Sequence, residues 1–202
     1  MGSILSQNIV TGELLGRGRI IAEATDQQLV SSVAKGDEAA FVELYSRYKV
    51  TLFNYLLRLI SEQNIAEDLL QEVFVAVWKG AGKFKAQSSV RTWLFRIAHN
   101  QAVSWLRRRK DVVDDDEMLH LIADGDVLEE TVLESWHADQ LRDALGQLTP
   151  AHRAVVELSF VHELTYAEIG EIMDCPVGTI KSRMSYALKY LDGFLRRNGV
   201  GA

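Results

Sequence analysis

Cysteine and proline are nearly absent from this chain, which has one cysteine, Cys175, and two prolines among 202 residues. A lone cysteine cannot form an internal disulfide, so we expect a reducing compartment, the cytoplasm. Scarce proline, in a sequence that is 48% hydrophobic and 25% charged, favours a helical protein over a loop-rich one. No apolar run reaches the about 20 residues of a membrane-spanning helix, so we expect no membrane insertion.

Motifs for catalysis are also missing from the sequence. The five histidines lack the spacing of metal ligands, and there is no glycine-rich phosphate loop and no Gly-x-Ser-x-Gly motif. The segment from His162 to Tyr166 resembles the start of a zinc-protease motif, but Tyr166 stands where the second histidine is required. We therefore predict that the protein is not an enzyme and has no catalytic residue, bound metal or cofactor.

Charge is strongly segregated along the chain. The formal charge is −6, and residues 111–143 contain twelve acidic residues and one basic residue, so this segment carries −11 and leaves +5 for the remainder. Such an acidic block is typical of a solvated linker or an interaction tail. We predict an N-terminal extension at 1–25, a helical domain at 26–110, an acidic linker at 111–136 and a second helical domain at 137–198.

Apolar periodicity predicts four helices in the first domain. Asp26 and Asp37 are the expected N-caps of the first two, and the last begins near Val90 after a polar loop at 80–89. On the third helix, inward-facing Leu69 and Val73 leave a group of polar residues on the outer face: Asp68, Gln71 and Glu72. Periodicity alone favours an ordinary solvated face here, and a docking surface for a basic partner is the alternative.

Aromatic and basic residues alternate between positions 80 and 110. The cations Lys83, Lys85, Arg91 and Arg96 precede a basic run at 107–110, and the aromatic residues among them are Phe84, Trp93, Phe95 and Trp105. This mixture suits single-stranded nucleic acid, because bases stack on rings while cations follow the phosphates. Trp93 and Phe95 are equally compatible with a place in the core.

The second domain contains a helix-turn-helix pattern. One helix is expected from Ala151 to Val161, and Thr165 with Glu168 predicts a capping box for the next. A break at 174–176 then precedes a long basic helix. Cys175 lies in this break and is expected to be a small packing residue and not a redox sensor. The inward face is predicted to hold Val177, Ile180, Met184, Leu188 and Leu191. The opposite face, with Lys181, Ser185 and Lys189, is suited to duplex DNA.

At five segments taken in order, the chain resembles bacterial sigma factors of the extracytoplasmic-function (ECF, group IV) class. The resemblance extends from about Asp26 to Arg197. The segments are Asp37-Glu38-Ala39-Ala40-Phe41, Ala66-Glu67-Asp68 with Gln71-Glu72-Val73-Phe74, Thr92-Trp93-Leu94-Phe95-Arg96-Ile97-Ala98-His99-Asn100, Leu164-Thr165-Tyr166-Ala167-Glu168-Ile169-Gly170, and Cys175-Pro176-Val177-Gly178-Thr179-Ile180-Lys181-Ser182-Arg183.

The resemblance implies an all-α fold of two small helical domains, a region 2 bundle and a region 4 helix-turn-helix, joined by an acidic flexible linker. It implies an alternative sigma factor that binds the β and β′ subunits of core RNA polymerase, recognises −10 and −35 promoter elements and promotes melting. An anti-sigma factor is a further expected partner. The linker carboxylates at 114–117 are expected to imitate an RNA backbone. The alternative function is a stand-alone helix-turn-helix regulator of duplex DNA.

The resemblance also assigns roles to individual residues. The expected polymerase-binding residues are Asp68, Gln71, Glu72, Phe74 and Trp78. The expected −10 residues are Lys83, Lys85, Ser88, Arg91, Arg96, His99 and Asn100. The expected −35 residues are Thr179, Lys181, Ser182, Arg183, Ser185, Tyr186 and Lys189. Several members of the family carry a bulky aromatic residue and then an arginine where this chain has Ser185 and Tyr186, so the chain departs from the family there.

Overall fold

A computed structural model of the chain describes residues 23–112 and 143–197. These residues form helices, turns and bends, and no strand occurs among them, which confirms the predicted all-α class. Most of the predicted linker, including its carboxylates at 114–117, lies outside the described residues, as does most of the N-terminal extension.

The first bundle contains four helices and a single 3₁₀ turn within residues 23–112. The helices are α1 (Asp26–Val33), α2 (Glu38–Ile60), α3 (Gln63–Gly80) and α4 (Val90–Val112), and the 3₁₀ turn is Ala81–Lys83. Their mutual packing buries large side chains to below 2% exposure, including Leu29, Leu44, Leu52, Tyr55, Leu56, Leu69, Leu94 and Phe95. Phe95 is therefore a buried residue in this structure and not an exposed platform for bases.

Local hydrogen bonds set the beginnings of these helices. Asp37 is confirmed as the N-cap of α2, because its Oδ1 accepts from the backbone N–H groups of Ala39 and Ala40 at 3.0 and 3.2 Å. The predicted cap at Asp26 is wrong by one residue, since Thr25 caps α1 and forms a capping box with Gln28. The Asp26 carboxylate instead accepts a hydrogen bond from Arg47 in α2 at 2.9 Å.

Within residues 143–197, the second bundle shows a helical turn at 143–146 and then three helices separated by short segments. The helices are α5 (Pro150–Val156), α6 (Tyr166–Ile172) and α7 (Val177–Arg197), with a π-helical segment at Glu157–Val161. The predicted helix from Ala151 to Val161 is thus confirmed as helical, but its second half is π-helical. The wider π-helical turn accompanies the burial of both Glu157 and Leu158 within two consecutive positions.

The capping box of α6 is confirmed. The backbone N–H of Glu168 donates to Oγ1 of Thr165 at 3.3 Å, and Oε2 of Glu168 accepts from the backbone N–H of Thr165 at 2.9 Å. These hydrogen bonds from Thr165 hold the pKa of Glu168 below its usual value. The carboxylate therefore stays charged near neutral pH, where it favours the start of the helix.

The buried face of α7 differs from its prediction. Ile180, Met184 and Leu191 are buried as expected, but Val177 is 39% exposed and Leu188 is 45% exposed. Ala187 takes the inward position in place of Leu188. From Ile180, the buried residues follow in steps of four, three and four, which keeps them on one face of a helix with 3.6 residues per turn. The predicted steps of four, four and three place Leu188 outside that face.

Gly170 allows the close approach that forms the turn between α6 and α7. The backbone N–H of Cys175 donates to the carbonyl oxygen of Gly170 at 3.0 Å, and Asp174 adopts a left-handed backbone with φ 50°. A Cβ added at Gly170 would lie 2.9 Å from the carbonyl oxygen of Cys175. A side chain at this position therefore requires the turn to shift.

We expect Gly170→Ala to lower the free energy of unfolding by about 1–3 kcal/mol, because the turn is overpacked. The control is Gly193→Ala in α7, where an added Cβ meets nothing within 4 Å. The control is expected to leave stability unchanged or to raise it by up to about 1 kcal/mol, since alanine favours helix. Urea denaturation followed by circular dichroism compares the two, and equal stabilities would contradict the role of Gly170.

Candidate functional site

The polar outer face of α3 is confirmed as solvent-exposed. Asp68, Gln71 and Glu72 are all exposed, and the same stripe continues through Val75 and Trp78, which are 51% and 38% exposed. The helical period brings these side chains to one side of α3. The stripe therefore combines carboxylates at its N-terminal end with apolar groups at its C-terminal end, and we call it the α3 stripe.

Aromatic packing supports the apolar end of the α3 stripe. The ring of Trp78 lies edge-on to that of Phe41 with 5.2 Å between centroids, and Phe74 packs edge-on against Phe41 and Tyr45 at 6.1 and 4.7 Å. Phe74 itself is only 3% exposed. Its ring thus lies beneath the surface, where it contacts Tyr45 and packs on the same Phe41 ring as Trp78.

A groove beside the carboxylate end separates α3 from the last turns of α4. Its volume is about 560 Å³, and it is lined by Glu62, Ile65, Asp68, Leu69, Glu72, Trp105, Arg108 and Arg109. The guanidinium of Arg109 lies over the Trp105 ring at 5.2 Å and pairs with the carboxylate of Glu62. Trp105 and part of the basic run therefore belong to the acidic side of the bundle, away from the loop at 80–89.

The loop before α4 carries the exposed cations predicted for single-stranded nucleic acid. Lys83 and Lys85 are exposed and Ser88 is half-buried. Phe84 and Trp93 stack on each other with 4.9 Å between centroids, and both are half-buried against the core. This pair forms an aromatic base to the loop.

Two basic side chains near the start of α4, Arg91 and Arg96, face the second bundle. Nη2 of Arg91 donates to the carbonyl oxygen of His162 at 2.6 Å, and a nitrogen of Arg96 lies 3.7 Å from the carboxylate of Asp174. Between them, the hydroxyl of Thr92 donates to Glu168 at 3.4 Å. Three residues of the predicted −10 helix thus contact the second bundle.

An ion pair with one buried partner extends this contact to α2. The carboxylate of Glu157 is 2% exposed and accepts from Nη1 of Arg58 at 2.8 Å, and Nη1 of Arg153 donates to the carbonyl oxygen of Arg58 at 3.0 Å. The imidazole of His162 packs on the Phe95 ring at 4.6 Å. We call this set, with the contacts of Arg91, Thr92 and Arg96, the bundle contact.

Burial lowers the pKa of two histidines, His162 in the bundle contact and His99 beside Tyr55 in the first bundle. Burial and then the charge of Arg183 lower the pKa of His99 to about 4. Burial and then the charges of Arg91 and Arg58 lower the pKa of His162 to about 4. Nδ1 of His99 lies 2.8 Å from the Tyr55 hydroxyl, whereas Nε2 of His162 is buried without a hydrogen-bond partner.

Acidification is expected to open the bundle contact. An exposed histidine has a pKa of about 6.5, so the neutral imidazole of His162 favours the closed contact above that pH. The contribution is lost as the pH falls from about 6.5 towards 4, because the open state binds the protons more tightly. Small-angle X-ray scattering is expected to give a larger radius of gyration at about pH 5 than at about pH 7.5.

The control for this pH effect is His162→Phe, which keeps a ring against Phe95 and removes one titrating group. It is expected to reduce the change in radius, while circular dichroism shows the same helix content at both pH values. A wild-type radius that is constant across this range would contradict the prediction.

The outer face of α7 carries the residues predicted to read duplex DNA. Lys181, Ser182, Ser185 and Lys189 are exposed, and Tyr186 is 56% exposed. Arg183 and Thr179 are half-buried. Nη1 of Arg183 lies 3.7 Å from Sγ of Cys175, which connects this helix to the preceding turn.

Sequence reasoning missed the second-bundle side of the bundle contact. Glu157 follows two valines in an apolar run, and a carboxylate in such a run signals a buried partner. His162 gave no comparable signal, because its environment depends on Phe95, a residue 67 positions earlier in the chain.

Two family models match the chain, "Sigma-70 region 2" at residues 44–112 and "Sigma-70, region 4" at residues 144–191. The ECF RNA polymerase sigma factor SigW of Bacillus subtilis is 30% identical over 165 residues, which are 77% of this chain and 88% of SigW. The ECF RNA polymerase sigma-E factor of Haemophilus influenzae is 32% identical over 180 residues, which are 84% of this chain and 95% of that protein.

Solved structures are similar to the chain as well. The sigma factor RpoE in complex with the anti-sigma factor NepR from Bartonella quintana gives a TM-score of 0.65 at 27% identity, over 77% of this chain and 96% of RpoE. CnrH in complex with the cytosolic domain of CnrY gives 0.64 at 22% identity, over 85% of this chain and 97% of CnrH, a likeness of fold alone.

Proposed function

The chain belongs to the ECF family of RNA polymerase sigma factors, and we propose a division of work among its surfaces when it directs core RNA polymerase to promoters. In this proposal region 2 spans 26–110, the acidic linker 111–136 and region 4 137–198. The ranges of the two family matches, 44–112 and 144–191, support these boundaries. The protein has no catalytic activity of its own and acts in the cytoplasm together with the polymerase.

The α3 stripe is the proposed docking surface for core polymerase, through its β′ subunit. Asp68, Gln71 and Glu72 supply charge and hydrogen bonds, and Trp78 supplies an apolar anchor. Aromatic anchors beside charged groups are typical of tight protein interfaces. Phe74 contributes from beneath, where it packs on the same Phe41 ring as Trp78.

The loop at 80–89 and α4 form the proposed −10 surface. Lys83, Lys85 and Ser88 would contact the displaced strand, and Asn100 is exposed further along the helix. Contacts to an extruded base and its phosphates offset the unpairing cost of a few kcal/mol. Of the remaining −10 residues, Arg91 and Arg96 lie at the bundle contact, and His99 is buried beside Tyr55.

The exposed face of α7 is the proposed −35 surface. Basic and hydroxyl side chains on one face of the second helix of a helix-turn-helix reach phosphates and base edges in the major groove. The residues are Thr179, Lys181, Ser182, Arg183, Ser185, Tyr186 and Lys189.

The bundle contact must open before promoter DNA binds. Arg91 donates to the backbone at His162 and is therefore engaged while the bundles are together, and Arg96 lies 3.7 Å from Asp174 although 50% of its side chain stays exposed. We therefore expect weak DNA binding by the free protein. An anti-sigma factor that holds the bundles together would keep the protein inactive, and a bound anti-sigma factor in the Bartonella quintana complex supports this partner.

The proposal is tested by selection of labelled genomic DNA fragments with the full chain, with core polymerase, and with both. Fragments that share two spaced elements are expected only when both proteins are present. Equal retention of the same fragments by the chain alone would contradict the proposal and favour the stand-alone regulator. The α3 stripe, supported by buried Phe74, is the observation that disfavours that alternative, because a simple regulator needs no such surface.

A further inference from the structure

Tyr186 on the proposed −35 surface is exposed yet held by a residue outside its helix. The imidazole of His152, in the first turns of α5, lies 4.5 Å from the Tyr186 ring, centroid to centroid, at an interplanar angle of 34°. The Tyr186 side chain nevertheless keeps 56% of its surface open to solvent. One face of the ring is thus packed while the rest is available to a ligand.

His152 is itself fixed by a short hydrogen bond. Its Nδ1 lies 2.6 Å from Oγ1 of Thr149, the N-cap residue of α5. That hydroxyl makes no cap hydrogen bond to the helix backbone, so the histidine takes the place of the usual backbone partner. Burial and then the charge of Arg183 lower the pKa of His152, which keeps the imidazole neutral and able to pack near an arginine.

The contact occurs where the chain departs from its family. An arginine at this position would supply its own charge to a phosphate, whereas Tyr186 offers a ring and one hydroxyl. A tyrosine that swings freely loses rotational freedom when it binds, and a ring already held in place loses less. Pre-ordering therefore matters more for Tyr186 than for a charged side chain at the same place.

We propose that His152 is a positioning residue for −35 recognition, which acts by holding the Tyr186 ring in place before DNA binds. The proposal rests on the proposed function, since Tyr186 is the group that touches DNA. Thr149, His152 and Tyr186 then form a chain of contacts from the start of α5 to the DNA-facing side of α7. Neither Thr149 nor His152 touches DNA itself.

The test uses polymerase holoenzyme with the full chain and a promoter fragment that the wild-type holoenzyme selects from genomic DNA. His152→Ala is expected to weaken binding to this fragment about three- to tenfold, because the packed face of Tyr186 is lost. Binding to the same fragment with its −35 element replaced is expected to stay unchanged. This difference between the two fragments separates positioning from a general loss of folding.

A double-mutant cycle identifies the route of the effect. Combining His152→Ala with Tyr186→Ala is expected to weaken binding no more than Tyr186→Ala alone. His152→Phe keeps a ring against Tyr186 and is expected to remain within about twofold of wild type. The proposal is overturned if His152→Ala matches wild type on the intact fragment, or if the two alanine substitutions are additive. If wild-type holoenzyme selects no fragment, the proposed function fails first and this proposal with it.

Discussion

Asp68→Asn combined with Glu72→Gln is expected to weaken binding of the chain to core RNA polymerase by about tenfold or more. The substitutions remove two negative charges from the α3 stripe and leave side-chain volume nearly unchanged. Both residues are exposed, so the substitutions are expected to leave the stability of the fold nearly unchanged. Charged groups at an interface affect association most when they face a partner of opposite sign, as proposed here for the polymerase.

The measurement is binding of fluorescently labelled chain to purified core polymerase at two salt concentrations. The matched control is Glu38→Gln with Glu171→Gln, which makes the same charge change at exposed positions on α2 and α6. The control is expected to bind as wild type does. Equal losses of affinity for the two variants would show that only the net charge of the chain matters. No loss of affinity for either variant would show that the α3 stripe is not part of the interface.

The second large effect is expected from Arg58→Ala, which removes the partner of a buried carboxylate. Loss of one member of a buried ion pair costs several kcal/mol when both are enclosed. The Arg58 side chain is 47% exposed, so solvent screens the pair and we expect about 1–3 kcal/mol. The cost falls on the closed arrangement, because Glu157 regains water when the bundles separate.

Two readouts follow the opening caused by Arg58→Ala. The radius of gyration is expected to increase, and the free protein is expected to bind the single-stranded −10 oligonucleotide of a selected promoter at least about fivefold more tightly. Arg196→Ala is the control, because Arg196 pairs with Asp192 within α7 at 3.0 Å. An Arg58→Ala protein as compact as the control, with the same affinity for the oligonucleotide, would show that the ion pair does not hold the bundles together.

Local patterns in the sequence predicted the elements well because their causes are local. The cap at Asp37 and the box between Thr165 and Glu168 each depend on residues within three positions. The break before α7 follows from Pro176 and is completed by Asp174 in a left-handed conformation. The residues that cause such features are neighbours in the sequence, so the features can be predicted from a short segment.

Features that depend on distant residues were less predictable. Leu188 was predicted to face inward, yet Ala187 takes the inward position where α7 packs on the preceding helices. Phe95 is suited by chemistry to either bases or core, and only the fold decides for the core. The bundle contact joins residues 99 positions apart at Arg58 and Glu157, beyond any periodic pattern.

The charge distribution now has a structural basis in the described residues. Exposed carboxylates gather on α3, whereas Lys181 and Lys189 lie on the outer face of α7 and Lys83 and Lys85 in the loop before α4. Net charge alone hides this separation, because the acidic segment at 111–143 outweighs the rest. A promoter-specificity subunit requires surfaces of opposite charge, one for the polymerase and one for DNA.

The most direct test of the central claim is run-off transcription from a genomic promoter library with purified core polymerase. Promoter-specific transcripts are expected when the chain and core polymerase are both present, and with neither protein alone. The absence of such transcripts, with core polymerase shown to be active with another sigma factor, would contradict the account.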